Sequence, residues 1–287
     1  MQYTVSEEQH GQRLDVFVVE AMPRLSRAFV NKLCEQGKVL VGGESAKPGY
    51  KVKSGDEVSV EYDLAGLDVI PDIDLPIIYE DDDCVVMNKP VGVLTHTQGE
   101  FNKEATVASF LRKKVADIGG ERAGIVHRLD RPTSGVIIGA KNPEALSVLQ
   151  KQFAQRKTKK TYMAIVEGHL KEAEAIIDMP IERNPRAPAT FRVGANGKSA
   201  VTHYKVIQTT ATASLVELKP ETGRTHQLRV HLAHIGHPII GDPLYGKGAH
   251  GDRLYLHALS LELTLPSRER KTFTAPLPPE FMEYMAK

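Results

Sequence analysis

His127-Arg128-Leu129-Asp130-Arg131-Pro132-Thr133-Ser134-Gly135 lies near the middle of the chain, and an apolar run, 136–140, follows it directly. One carboxylate sits between two arginines, a turn-forming Pro-Thr-Ser-Gly comes next, and the apolar run predicts a strand. A charged knot against a strand is costly if it only supports the fold, so it is the first place to look for chemistry. The flanking cations favour the ionised form of Asp130, which suits a nucleophile or a proton acceptor better than a general acid. Taken alone, however, the nine residues fit a surface salt bridge worth about 0–1 kcal/mol better than they fit a site. Ser134 and His127 do not make a convincing hydrolase pair. The glycine that a nucleophile elbow needs two residues before the serine is missing, and Thr133 and Ser134 fit turn hydroxyls.

Working outward, the pattern predicts strands at 85–87, 162–166, 200–207, 214–218 and 256–263, with helices at 104–115 and 143–155. Strands outnumber helices and do not alternate with them regularly. The expected class is therefore α+β, with a mixed, largely antiparallel central sheet flanked by helices rather than a doubly wound one. The last stretch, 264–287, is a polar, proline-containing tail without an assigned packing. At the other end, residues 10–60 form a small α+β module. A helix runs from a cap at Ser26 to Gln36 with Gly37 as terminator, and short strands lie at 39–41 and 58–60. Between the two parts, 61–83 is extended around Pro71 and Pro76. The expected domains are 1–62, an acidic linker at 63–83, and 84–287.

Charge divides the same way. Residues 1–60 carry 8 basic and 8 acidic residues, 61–83 carry 9 acidic and no basic ones, and 84–287 carry 29 basic and 19 acidic. A basic body behind an acidic connector points to a polyanionic partner, most simply nucleic acid, against the alternative of a scattered solvated surface. Arg24, Arg27, Lys32 and Lys38 gather around the predicted N-terminal helix, where they could dock phosphates or simply form a solvated face. With 41% hydrophobic and 25% charged residues the composition is that of a soluble globular protein. No apolar run approaches the ~18 residues of a membrane span, and the N-terminus has no signal-peptide pattern. Two cysteines, Cys34 and Cys84, make neither a disulfide framework nor a metal motif, which fits a reducing, cytoplasmic setting.

Three further clusters stand out. Gly223-Arg224-Thr225-His226-Gln227-Leu228-Arg229-Val230-His231 is followed by His234 and His237. Without a His-Glu-x-x-His pattern, a cysteine or a nearby acid, and with two arginines to repel a cation, it predicts no metal site. An arginine-bearing strand followed by a short helix, with histidines hydrogen-bonded near a cleft, is the simpler expectation. Lys159-Lys160-Thr161-Tyr162 opens a strand after a basic run, and its tyrosine could stack on a base or pack in the core. Asn88-Lys89-Pro90-Val91-Gly92 ends a strand in a turn that supports a neighbouring loop, with Lys89 available to a phosphate.

Together and in this order, these stretches resemble the RluA-type pseudouridine synthases. The matching segments are NKPVG (88–92), HRLDRPTSG (127–135), KTYMAIV (160–166), GKSAVT (197–202), GRTHQLRVH (223–231), GDPLYG (241–246) and LHA (256–258). Residues 11–60 are similar to the S-four-type RNA-binding domain through Arg13-Leu14-Asp15, Leu25-Ser26-Arg27, Gly37-Lys38-Val39 and Ser54-Gly55-Asp56. They depart from its usual Val-Asn-Gly turn with Val41-Gly42-Gly43. This domain order resembles members that modify large-subunit ribosomal RNA.

The resemblance implies that uridine in RNA is isomerised. Its glycosidic bond is broken, the uracil turned, and a carbon–carbon bond made through ring carbon five, with no cofactor or metal. An ordinary glycosidase would instead need two carboxylates. It implies that Asp130 is the catalytic aspartate, that Tyr162 stacks on the uracil and could assist proton removal, and that Arg229 pairs with Asp130, with Arg224 as second choice. Arg128 helps hold the target nucleotide out of its helix. The backbone around Thr225, His226, Gln227 and Leu228 lines the uracil pocket, and Lys160, Arg27 and Lys32 contact RNA. The expected partner is RNA, ribosomal first and transfer RNA second, and the expected state is a monomer with no membrane association. A non-catalytic RNA-binding factor on the same fold and an RNA glycosidase that releases uracil are the competing readings.

Overall fold

The computed structural model describes residues 1–23, 25, 27–61, 72–96, 104–116, 118, 124–246 and 253–287. Arg24, Ser26 and residues 62–71, which include the first part of the expected acidic linker, lie outside the described residues. Two compact units divide the chain: residues 1–72 with 97–105, and residues 73–96 with 106–287.

The first unit is built from β1 (Gln2–Thr4), α1 (Leu14–Ala21), α2 (Arg27–Glu35), β2 (Val39–Val41), β3 (Glu44–Ser45) and β4 (Glu57–Val60). Its antiparallel sheet has the order β1-β4-β2-β3. Leu14, Phe17 and Val18 of α1, and Val30, Leu33 and Cys34 of α2, recur at helical spacing and are buried with Val39, Val58 and Val60. The sequence reading has no helix at α1, because its Val-Phe-Val-Val centre has weak helix propensity. Burial of that face overrides the local preference. Gly37, at φ 69°, ends α2 as its position implies.

Asp15 is buried beneath Arg13 and Arg27. It accepts hydrogen bonds from Arg13 (2.9 and 3.2 Å) and Arg27 (3.1 and 2.8 Å). Burial works against the charged carboxyl, but these bonds outweigh it and hold the pKa below the ordinary aspartate value. A depressed folded-state pKa contributes stability above the unfolded value of about 3.9, and that contribution is lost as pH falls through the folded value. Asp15→Asn is therefore expected to lower the protection of α1 and α2 amides by about 2 kcal/mol near neutral pH. The difference from wild type should shrink in acid. Hydrogen exchange at both pH values checks this, and a constant difference would refute it.

The second unit contains β5 (Ile77–Glu80), β6 (Cys84–Lys89), α3 (Val107–Arg112), β7 (Ser134–Ala140), α4 (Pro143–Ala154), β8 (Lys159–Glu167), β9 (Glu174–Asp178), β10 (Ile181–Arg183), β11 (Phe191–Val193), β12 (Val201–Thr209), β13 (Ala213–Pro220), α5 (Gln227–His234), β14 (Leu256–Thr264), β15 (Arg270–Thr274) and α6 (Pro279–Met285). A nine-stranded sheet runs β5-β6-β7-β14-β8-β13-β12-β9, with β15 also on β14, while β10 and β11 form a separate hairpin. Among these pairings β7 with β14 is parallel and the rest are antiparallel, so the mixed, largely antiparallel sheet is observed.

One expectation needs correction, and one stretch left open is now placed. The segment read as linker contributes strand β5, whose acids are neutralised locally. Lys114 and Lys141 pair with Glu80 (2.9 and 3.2 Å), and Asp81 accepts from Asp83 and Cys84 backbone amides. The tail folds as β15 and α6, because Phe281 and Met285 bury against Met163, Ile165 and Leu215.

Alternate residues of β7 serve opposite faces of the sheet. Val136, Ile138 and Ala140 join the core with Ala145 and Leu149 of α4, whereas Ile137 joins Val107, Phe110 and Leu111 of α3. The second residue of the strand is Gly135 (φ 115°), where a Cβ would run into the carbonyl of Ala258 on β14. Only glycine lets these parallel strands close directly behind the 127–134 loop.

Candidate active site

Segments distant in sequence, within 127–133, 153–162 and 220–229 and at Leu256, line one cavity of about 430 Å³ in the second unit. Its best-anchored wall is the loop that carries Asp130. Leu129 is clamped by Thr95, whose Oγ1 accepts from the Leu129 amide (3.1 Å) and donates to its carbonyl (2.8 Å). The Thr133 amide donates to the Asp130 carbonyl (3.0 Å), closing a turn.

Behind the turn lies Lys89, fully buried, with its ammonium donating to the carbonyls of Pro90 (2.9 Å), Val93 (2.8 Å) and Arg131 (3.2 Å). Three donors meet three acceptors, so none is left for a phosphate, and the expectation for Lys89 fails on burial. Its role is to tie the 88–92 turn to the residue after Asp130. Arg131 adds to the tie by donating from Nε to the Gly92 carbonyl (3.0 Å). Ser134 is buried and bonds His257 (2.9 Å) and Arg253 (2.7 Å) rather than His127. His127 stacks on Phe153 (4.4 Å) and accepts from the Ile138 amide, and burial pushes its pKa down to about 3.

The Asp130 carboxylate is partly exposed to the cavity and meets Arg229, whose Nη1 donates to Oδ2 at 3.3 Å. Arg229 is on helix α5, not on the strand expected there. The Gln227 amide bonds back to the Arg224 carbonyl (3.1 Å), His226 takes a left-handed φ of 56°, and Leu228 and Leu232 then share a buried helical face. Arg224 turns away, donating from Nε to the Ser199 carbonyl (3.0 Å), so of the two arginines considered for Asp130 only Arg229 reaches it.

Arg229 is almost wholly buried and its stronger partner is Asp242, which receives Nε and Nη2 at 2.7 Å each. Asp242 also accepts from the Leu244 and Tyr245 amides (2.9 and 3.1 Å). Two carboxylates thus share one guanidinium. Burial disfavours the charge on Arg229, but the carboxylates outweigh that and raise its pKa above the ordinary arginine value. Sequence reasoning did not name Asp242 or Tyr245 as site residues. The available signal was the GDPLYG stretch, quoted as a match but given no role.

Tyr162 projects from β8 into the cavity. Burial, and secondarily the charge of Asp130, raises its pKa well above the phenol range, so the free protein holds it as a neutral phenol. Lys160 donates to the Thr222 carbonyl (3.2 Å), and burial, then Arg156, pushes its pKa down to about 8. Arg128 and Thr225 are exposed at the cavity. No acid among the described residues pairs with Arg128 or with Arg156, which also lines the cavity. The Gln227 amide is fully used: Oε1 accepts from Thr222 (2.6 Å) and the Arg224 amide (3.0 Å), while Nε2 donates to Val201 (2.9 Å) and Thr202 (3.0 Å). It shapes the wall and has nothing left to read a base. His226 completes the wall, its Nδ1 2.8 Å from the Tyr245 hydroxyl and its Nε2 3.9 Å from Asp130 Oδ2. Arg27 and Lys32 belong to α2 of the first unit. There Lys32 is exposed, and Arg27 holds Asp15 while remaining more than half exposed.

A ring of cations around one carboxylate suits a polyanion that presents a reacting group to Asp130. The comparisons agree. Residues 83–234 match the RNA pseudouridylate synthase family, and residues 12–58 match the S4 domain. A ribosomal large subunit pseudouridine synthase D of Escherichia coli is 38% identical over 98% of this chain and 91% of its own length. An uncharacterized RNA pseudouridine synthase of Bacillus subtilis is 38% identical over 98% of this chain and 95% of its own. Among solved structures, human RNA pseudouridylate synthase domain containing 1 is similar with a TM-score of 0.60 and 30% identity, covering 72% of this chain and 86% of that one. The chain belongs to the RNA pseudouridine synthase family, a family of isomerases, and carries an N-terminal RNA-binding S4 domain. No helix among the described residues is long and apolar enough to cross a membrane.

Proposed function

We propose that the cavity isomerises specific uridines to pseudouridine in large-subunit ribosomal RNA, with Asp130 as the catalytic carboxylate and without a cofactor. The observation that carries this reading is the convergence of Asp130, Arg229 and Tyr162 on one cavity from a loop, a helix and a strand. The ribosomal substrate rests on the Escherichia coli relative, whose name states that target.

The reaction balances by itself. The bond from uracil nitrogen to sugar and one carbon–hydrogen bond break, while one carbon–carbon and one nitrogen–hydrogen bond form, so no group or electron has to be supplied. Asp130 carries the sugar–base cleavage, Arg229 pairs with its carboxylate, and Tyr162 stacks on the uracil. Arg128, exposed at the rim, takes up the space left by the flipped nucleotide, offsetting the few kcal/mol of unstacking.

Tyr162→Ala is expected to weaken binding of a uridine-containing stem-loop by about 1–3 kcal/mol, whereas Tyr162→Phe keeps the stacking face and most of the affinity. Equal losses in the two variants, measured by filter binding, would contradict the stacking role. The reading as a whole is tested by incubating the full chain with unmodified large-subunit ribosomal RNA and transfer RNA, then mapping pseudouridine and assaying free uracil. Pseudouridine at discrete ribosomal positions with no uracil released is expected. Modification of transfer RNA alone, or release of uracil, would overturn it.

A further inference from the structure

The backbone at His226 is unusual for its residue type. A non-glycine residue in the left-handed region stores about 1–3 kcal/mol of strain and persists where its surroundings over-determine it. Here the surroundings are the side chain's own contacts. The ring is mostly buried and packs edge-on against Phe191 and Tyr245, at 5.6 Å from each.

The hydrogen bonds favour one position for its proton. The Tyr245 oxygen accepts from the Phe191 amide (2.9 Å) and lies 2.8 Å from His226 Nδ1. Burial raises the Tyr245 pKa, so the phenol keeps its single proton, and Nδ1 is the acceptor available to it. Burial also favours the neutral imidazole. Neutral His226 with Nδ1 accepting carries its proton on Nε2, the nitrogen that faces Asp130.

The geometry is selective between the two carboxylate oxygens. Both Arg229 Nη1 (3.3 Å) and His226 Nε2 (3.9 Å) approach Oδ2. Oδ1 has no hydrogen-bond partner among the described residues. An inward shift of the ring by about 1 Å would turn the longer approach into a hydrogen bond, the kind of tightening that substrate binding brings to catalytic contacts.

We propose that His226 is a positioning residue: with Arg229 it holds Oδ2 of Asp130 and so presents Oδ1 to the substrate. Tyr245 acts one step further out by fixing the His226 proton on Nε2. This rests on Asp130 being the catalytic carboxylate.

Three replacements separate this role from backbone strain. His226→Gln can return an N–H near the Nε2 position. His226→Asn tolerates the left-handed backbone but can only reach the Nδ1 position, and His226→Gly relieves the strain and has no side chain. The expected result is that Asn and Gly lower kcat about 10- to 100-fold with RNA affinity nearly constant, and that Gln recovers most of the loss. Tyr245→Phe should lower kcat in the wild-type background and have little further effect in the His226→Gln background, where no tautomer needs fixing. Thermal melts establish that each variant is folded. Wild-type kcat in His226→Gly or His226→Asn, no rescue by Gln, or an equal effect of Tyr245→Phe in both backgrounds would each overturn the proposal. Asp130→Asn serves as the reference. Retained activity there refutes the underlying reading, whereas an inactive Asp130→Asn beside a fully active His226→Gly refutes only the positioning role.

Discussion

Asp130→Asn is expected to abolish pseudouridine formation, with a loss on the order of 10,000-fold in kcat, or about 5 kcal/mol of transition-state stabilisation. The substitution keeps size and hydrogen-bonding shape. Thr95, Thr133 and Lys89 hold the loop through backbone groups, so its position does not depend on the carboxylate. What changes is charge: an amide is a poor nucleophile and a poor proton acceptor. RNA affinity should stay close to wild type, because the surrounding cations remain. Single-turnover kinetics on a ribosomal RNA fragment, with binding measured separately, checks both statements. Full activity of the variant would remove the mechanism, and lost binding with unchanged turnover at saturation would make Asp130 a binding residue.

The second large effect is structural in origin. Asp242→Ala leaves the guanidinium of Arg229 buried with its better partner gone and strips an acceptor from the Leu244 and Tyr245 amides. Breaking a buried pair by removing one member costs about 3–5 kcal/mol, because the remaining charge is left uncompensated. For a unit of this size that corresponds to a fall in Tm of about 10 °C. Activity should fall as well. Arg229 would be free to turn its other donors toward Asp130, and Tyr245 would lose the turn that holds it against His226. Asp242→Asn, which keeps one acceptor but not the charge, should lie between wild type and alanine. Differential scanning calorimetry with and without substrate RNA measures this, and an unchanged melting temperature would show that Arg229 finds water or another partner.

Much of the site was legible because it is written in short contiguous motifs. Asp130 with its turn, Tyr162 at the head of a strand, and Arg229 in the 223–231 stretch are each weak signals alone, and it is their order along the chain that carries the resemblance. The less visible parts depend on contacts between motifs. Asp242 is thirteen residues from Arg229, and nothing in GDPLYG says that its acid turns inward to a guanidinium. Lys89 looked like a phosphate ligand because lysines usually face water. Three converging carbonyls, one of them from a loop 42 residues away, make burial tolerable here. Gln227 was expected to line the uracil pocket and Arg224 stood second to Arg229 as partner of Asp130, yet the Gln227 amide is spent on the wall that shapes the cavity and Arg224 Nε bonds the Ser199 carbonyl.

By itself the sequence determined the class of sheet, the family and the carboxylate at the centre, because strand periodicity and motif identity are local properties of the chain. The Pro-Thr-Ser-Gly turn was legible too, but the approach of Ala258 that requires glycine at 135 was not. The tertiary structure alone decided that β5 is cut from an acidic stretch and that Arg229 rides on a helix, because sheet pairing and burial of Leu228 and Leu232 outweigh local preference. It also decided that two aspartates share one arginine and that His226 faces Asp130 with Nε2. Hydrogen-bond satisfaction of buried groups is settled by whatever the fold brings within about 3 Å, and sequence separation carries no information about that distance.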